Sequence, residues 1–249
     1  ALLMTGLIAG VVFAATDPDW DGTEPKNVSA SGPNLARQPA IASSPSGRMV
    51  VAWSDQRSES AGAQRNIYAV LSDDDGGTWS TVLEEISKTE ADSLLPDALA
   101  VGDQSFVAWV DDDPPTGIYE AAWTGTGTWE THHIPSPVQL SNTRPRLAAG
   151  ADRLHVVFNA GKNIPDILYA ARPLTAAAWP TATIIYTHTA TFGSWYPVLA
   201  VDPDGETLHV VWEERASSSQ RAIMYMRGTV SGADVDWASP VALSTGITL

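Results

Sequence analysis

The chain has 249 residues, 44% of them hydrophobic and 17% charged, which is enough apolar material for one large or two ordinary domains and argues against disorder. Its formal net charge of −15 repels phosphate backbones and provides no basic stripe, so neither a nucleic-acid partner nor an anionic lipid surface is expected. With no cysteine, there is neither a disulfide framework nor thiolate chemistry.

The chain opens on ALLMTGLIAGVVFAA, an apolar run over residues 1–15 that ends in Ala14 and Ala15 before the polar TDPDWDGTEP. The run is short for a bilayer span and matches the apolar core and cleavage region of a secretory signal, here in partial form. The alternative is a buried strand or helix. No other membrane span is expected, and the location implied is secreted or cell-surface. Residues 16–35, rich in Asp, Pro, Gly, Ser and Asn, read as a linker.

From residue 36 four segments share one grammar. The first runs PAIAS, RMVVAWSD, NIYAVLS, Trp79; the second PDALAVG, SFVAWVDD, GIYEAAW, Trp129. The third runs PRLAAG, RLHVVFNA, DILYAAR, Trp179; the fourth PVLAVD, TLHVVWEE, AIMYMRG, Trp237. The opening prolines Pro39, Pro96, Pro145 and Pro197 step by 57, 49 and 52 residues. Two aromatic series keep pace: Trp53, Trp109, Phe158, Trp212, and Tyr68, Tyr119, Tyr169, Tyr225.

Each unit contains about four short runs rich in Val, Ile, Tyr and Trp, separated by turn residues such as SPSG (44–47) and DPDG (202–205). No sustained 3.6-residue apolar period is present, so helices should be scarce. A four-stranded repeat of about 50 residues predicts an all-β fold, a β-propeller of four-stranded antiparallel blades. The expected blades span about 36–90, 91–142, 143–191 and 192–249. A lone twisted sheet cannot hide two apolar faces, whereas ringed blades bury both, which suits runs such as MVVAW and HVVW. A β-sandwich is the competing fold but predicts no periodic Trp and Tyr. SPVALS (239–244) closes the fourth unit much as SPVQLS (136–141) closes the second, so about four blades of a larger, truncated ring are expected. A closed four-bladed ring is the alternative.

Within the first unit SDDDGGTWS (72–80) has the pattern Ser72-x-Asp74-x-Gly76-x-Thr78-Trp79. A carboxylate in a tight turn accepts nearby backbone N–H groups, glycine permits positive φ, and tryptophan buries a large area. The run therefore reads as a structural turn. The EF-hand spacing is not met, and no metal site is expected. The stretch resembles the Asp-box of the sialidase (BNR-repeat) superfamily, and the blade grammar extends the resemblance over residues 36–249. The other units keep the box only in part: AAWTGTGTW retains Thr128 and Trp129, and the third and fourth retain the Trp.

The resemblance implies a carboxylate-gripping arginine in Arg-x-Pro, which Arg37-Gln38-Pro39 supplies, and Arg144 precedes Pro145 likewise. It implies a second arginine after the second strand, at Asp55-Gln56-Arg57. The following loop, SESAGAQRN, holds Glu59 but no aspartate, so the implied acid is missing; Asp55 and Glu59 are the weak catalytic candidates. Arg215, in Trp212-Glu213-Glu214-Arg215, and Tyr196, beside Trp195, are further candidates for ligand contact. The second-strand ends, Asp55, Asp111–Asp113, Asn159 and Glu213, predict an acidic rim that would disfavour an anionic sugar. His132-His133 alternate faces and are not expected to share a metal. No cofactor-binding pattern is present, and none is expected. These features favour an exported, non-catalytic module binding a glycan or an extracellular protein. The alternatives are a retaining exo-α-sialidase or related glycoside hydrolase, and a structural surface or adhesin repeat.

Overall fold

The computed structural model describes residues 27–30, 35–56, 64–80, 84–87, 92–112, 116–125, 127–141, 143–188 and 191–244. The expected signal segment, most of the linker, Arg57, Glu59 and Asp113 lie outside them. Among the described residues every regular element is a strand.

The strands form four antiparallel meanders, each pairing in chain order. The first sheet comprises β1 (Ala36–Ser43), β2 (Met49–Asp55), β3 (Asn66–Ser72) and β4 (Glu84–Glu85). The second comprises β5 (Ser93–Val101), β6 (Gln104–Asp111), β7 (Gly117–Trp123) and β8 (Trp129–Ile134). The third comprises β9 (Arg146–Ala149), β10 (Arg153–Ala160), β11 (Asp166–Pro173) and β12 (Thr183–Tyr186). The fourth comprises β13 (Ser194–Val201), β14 (Thr207–Arg215), β15 (Arg221–Ser231) and β16 (Asp234–Trp237), with β17 (Val241–Ala242) also pairing with β15.

These are the blades of a β-propeller. The first strands adjoin in order, β1 to β5 to β9 to β13, and the sheets do not close into a ring. Each seam between neighbouring sheets has its own apolar cluster. Val50, Ala52, Val107 and Trp109 pack between the first and second sheets. Phe106, Ala108, Val156, Phe158 and Leu168 pack between the second and third. Val157, Ile167, Val210, Trp212 and Met224 pack between the third and fourth. Adjacent residues of one strand thus enter different clusters, which is why second strands such as SFVAWVD read as continuously apolar. Burying Phe106 and Phe158 completely contributes about 1.5–3 kcal/mol each.

The first aromatic series holds register, but the tyrosine series does not. Tyr68 lies opposite Trp53 and Tyr119 opposite Trp109, whereas Tyr169 lies opposite Val157 and Tyr225 opposite Val211. A one-residue offset in a strand turns a side chain to the other face. Tyr68 and Tyr119 therefore share a face with their sheet's tryptophan. Tyr169 and Tyr225 point the other way and meet His155 and His209.

Candidate functional site: the mouth of the inner strands

The start of each first strand and the end of each second strand lie at one end of the molecule. Arg37 pairs with Ser54, Ser93 with Asp111, and Ser194 with Glu214. In three sheets the first strand breaks register at its proline, between Arg37 and Ala40, Leu94 and Asp97, and Trp195 and Val198. The residue just before the proline then takes a left-handed backbone: Gln38 at φ 54°, Leu95 at 56° and Tyr196 at 54°. This left-handed residue interrupts the extended strand as a bulge, against the usual avoidance of the conformation by side chains and the extended preference of a residue before proline. The third sheet places Arg144 before its proline without such a turn.

The bulges interlock. Gln38 Oε1 accepts the backbone N–H of Leu95 at 2.9 Å. Gln38, Leu95 and Arg144, together with Asp97 and Arg146, line a cavity of about 460 Å³ among the innermost strands of the first three sheets. Asp97 clasps the third sheet: its carboxylate accepts Leu147 N–H at 2.7 Å and Arg146 at 2.8 Å. Burial outweighs these bonds and raises the Asp97 carboxyl above the usual carboxylate range.

Beside this cavity Tyr196 stands 43% exposed. The Arg144 guanidinium sits 4.9 Å from its ring centroid and Arg215 sits 5.1 Å from it, while Arg215 is also 4.9 Å from the Trp195 ring. Glu213 bonds Arg215 and also pairs with Arg221 at 3.3 Å. Side-chain bonds to Glu213 and Tyr196 outweigh burial at Arg215 and raise its pKa. An exposed aromatic ring thus lies close to guanidiniums from two different sheets. Such an arrangement can stack a planar or apolar ligand face and present N–H donors to its oxygens.

Among the described residues, most of the acidic rim expected from the second-strand ends is turned inward. Asp55, Asp111 and Asn159 are buried, at 0%, 3% and 0% exposure. The acids accept indole N–H groups from their own strands: Trp53 to Asp55 at 3.1 Å, Trp109 to Asp111 at 2.9 Å and Trp212 to Glu214 at 3.2 Å. The Ser93 and Ser194 hydroxyls add bonds to Asp111 and Glu214. The W-x-[DE] pattern is therefore an internal bond between residues on one strand face. Of the described strand-end acids, only half-buried Glu213 and exposed Asp112 keep acid character near the surface.

The other expected residues fall as follows. Arg37 is exposed on β1 and does not line the cavity; its neighbour Gln38 does. The Asp74 carboxylate accepts Thr78 N–H and hydroxyl at 2.7 Å each, and Ser72 Oγ accepts Gly76 N–H at 2.9 Å. Gly76, at φ 88°, carries Trp79 over it. These bonds hold the Asp74 carboxyl down to about 2. The turn spends its polar groups on itself. His132 bonds Glu120 while His133 tilts against Tyr119. Among the described residues no group of three or more His, Asp or Glu is placed to hold a metal ion.

One buried group escaped the sequence reading. Glu120, fully buried on β7, receives Arg172 at 2.9 Å, Trp179 Nε1 at 3.2 Å and His132 at 3.2 Å. Its signal was Glu120 inside the apolar GIYEAAW and Arg172 following the apolar ILYAA of the next sheet.

No protein-family profile matches the chain, and no curated protein matches it. Solved structures do. The GH93 alpha-L-arabinofuranosidase of Fusarium graminearum, determined with arabinobiose, aligns with a TM-score of 0.59 at 14% identity, covering 83% of this chain and 68% of that one. An alpha-L-arabinofuranosidase from Lactobacillus brevis aligns at 0.54 and 15% identity, covering 87% and 82%. Hadza microbial sialidase Hz136 aligns at 0.53 and 15%, covering 82% of this chain and 46% of that one. The chain shares its fold with propeller glycoside hydrolases. At these identities the likeness is one of fold.

Proposed function

We propose that this chain is an exported, non-catalytic glycan-binding propeller whose mouth takes an acidic sugar. The observation that carries the proposal is exposed Tyr196 with Arg144 and Arg215 close to its ring, beside the inner-strand cavity. A sugar ring has an apolar C–H face suited to an aromatic ring, and a guanidinium fork suits a carboxylate. The guanidiniums of Arg144, Arg215 and Arg221 gather around Tyr196 and Glu213, and in the adjoining cavity Asp97 is matched by Arg146, a local cation excess in a chain of net charge −15. That excess removes the objection an acidic rim would have raised. The propeller, shared with an arabinofuranosidase and a sialidase, and the self-bonded SDDDGGTW turn support descent from the sialidase-like group. Burial of Asp55 under Trp53 supports a binding role over a hydrolytic one, because a buried, indole-bonded carboxylate cannot reach a glycosidic oxygen.

The test is calorimetric titration with sialyllactose and trigalacturonic acid, with lactose as neutral control. The acidic sugars should bind, and Tyr196→Ala or Arg215→Ala should weaken binding about tenfold. Binding should weaken further near about 0.5 M salt. Turnover of a fluorogenic sialoside or arabinofuranoside by the folded protein would contradict the non-catalytic reading.

A further inference from the structure

The same positions recur at all three seams and carry three different sets of side chains. Ala69, Glu120 and Tyr169 each follow the residue paired with their sheet's core aromatic, so they occupy one register position facing the next sheet. The following sheet answers with Trp123, Arg172 and Gly228, each four residues beyond its own paired residue. An outer tryptophan, Trp129, Trp179 or Trp237, completes each set.

Between the second and third sheets the space is filled by an ion pair. Glu120 holds Arg172, whose guanidinium lies 5.2 Å from the Trp179 ring centroid and 5.7 Å from that of Phe106. Between the third and fourth it is filled by a ring, with Tyr169 5.1 Å from Trp237, edge on. Gly228 makes room, since a Cβ there would meet Trp237 at 2.8 Å. Between the first and second sheets neither filler is present. Ala69 is a methyl group where the others carry a carboxylate or a phenol. A cavity of about 390 Å³ opens there, lined by Arg48, Ala69, Trp79, Glu84, Trp123 and Trp129. Trp123 and Trp129 lie 5.9 Å apart at an interplanar angle of 54°.

We propose that this seam cavity is a second saccharide site, separate from the mouth, taking a neutral sugar ring. Its volume lies within the range of small-molecule sites, about 300–1,000 Å³. Three indoles offer electron-rich faces to the weakly positive C–H face of a pyranose. Arg48, held by Asp73 at 3.0 Å, and Glu84 stand at the wall with the donor and acceptor chemistry hydroxyls need. The seam presents no cation excess, unlike the mouth, because Arg48 is matched by Asp73 and Glu84. Its chemistry therefore favours an uncharged sugar.

The experiment uses the whole chain carrying Tyr196→Ala, which disables the mouth. Cellobiose, xylobiose and maltose are titrated against intrinsic tryptophan fluorescence. A saturable change with at least one of them is expected. Adding Ala69→Leu, which fills the cavity, should raise the dissociation constant about tenfold or more. Trp123→Ala should do the same by removing a wall, and it serves if the filled variant loses its thermal transition. In the Tyr196 wild-type background, Ala69→Leu should leave sialyllactose binding unchanged, which separates this site from the mouth. No saturable response to any of the three sugars, or a response that neither seam variant weakens, would overturn the proposal.

Discussion

The Tyr169 hydroxyl and His155 Nδ1 lie 2.7 Å apart, with their rings stacked at a centroid distance of 5.9 Å, buried where the third sheet meets the fourth. One sheet further on, Tyr225 and His209 repeat the pair at 2.9 Å and 5.9 Å on the outward face of the fourth sheet. Burial drives the His155 pKa down from 6.5 to about 4 and raises that of Tyr169, so both rings are neutral at pH 7. A histidine with a depressed folded pKa contributes stability that is present above its unfolded value and lost as pH falls. The window here is pH 6.5 down to about 4. The full effect across it is on the order of 3 kcal/mol. Thermal midpoints recorded across this window should fall more steeply for the wild type than for His155→Gln, which has nothing to protonate.

The Asp74 turn has the opposite partner chemistry and a lower window. Its carboxyl is held down to about 2 by Thr78 and Ser72, so its contribution is present above 3.8 and lost as pH falls toward 2. Asp74→Asn keeps the shape but replaces an acceptor oxygen with a donor facing Thr78. It should lower the thermal midpoint at neutral pH, while Asp75→Asn should not. Equal effects at the two positions would mean that the turn is held by its glycines alone.

The Glu120–Arg172 pair is fully buried, and three donors converge on one oxygen. Removing one partner leaves an uncompensated buried charge, at a cost of about 3–5 kcal/mol. Arg172→Met alone should therefore destabilise strongly by urea titration. Combining it with Glu120→Leu should recover most of the loss, since the neighbouring seam has Ala69 and Trp123 at the equivalent positions, neither of them charged. A double variant no better than the single would mean that the pair is needed for fold specificity.

Strand order, blade count and the aromatic core were legible because burial on both faces forces continuous apolar runs, and runs of that kind recur with Trp53, Trp109, Phe158 and Trp212. The split of the tyrosines was not legible. Tyr169 and Tyr225 differ from Tyr68 and Tyr119 by one residue of register, and hairpin lengths that vary between repeats conceal a single step. The rim failed for a related reason. An acid two residues after a tryptophan on one strand shares its face, and nothing in the spacing distinguishes a carboxylate tucked against that indole from one facing solvent. Gln38 was missed beside Arg37 because the bulge, which no spacing rule displays, decides which of the two reaches the cavity. Asp97 and Arg146, opposite charges after equivalent prolines, clasp adjacent sheets, a pairing that the proline repeat alone does not single out.

The proposed binding role turns on Tyr196, whose strained backbone presents its ring at the mouth where a ligand can meet it. A non-glycine residue in the left-handed region costs about 1–2 kcal/mol. The decisive experiment records sialyllactose binding and thermal midpoint, side by side, for the wild type and Tyr196→Gly. Glycine relieves the strain and removes the ring. The midpoint should equal or exceed that of the wild type, with binding weakened about tenfold or more. Undiminished binding, or a marked loss of stability, would show that Tyr196 is a packing residue and that the mouth is not the ligand site.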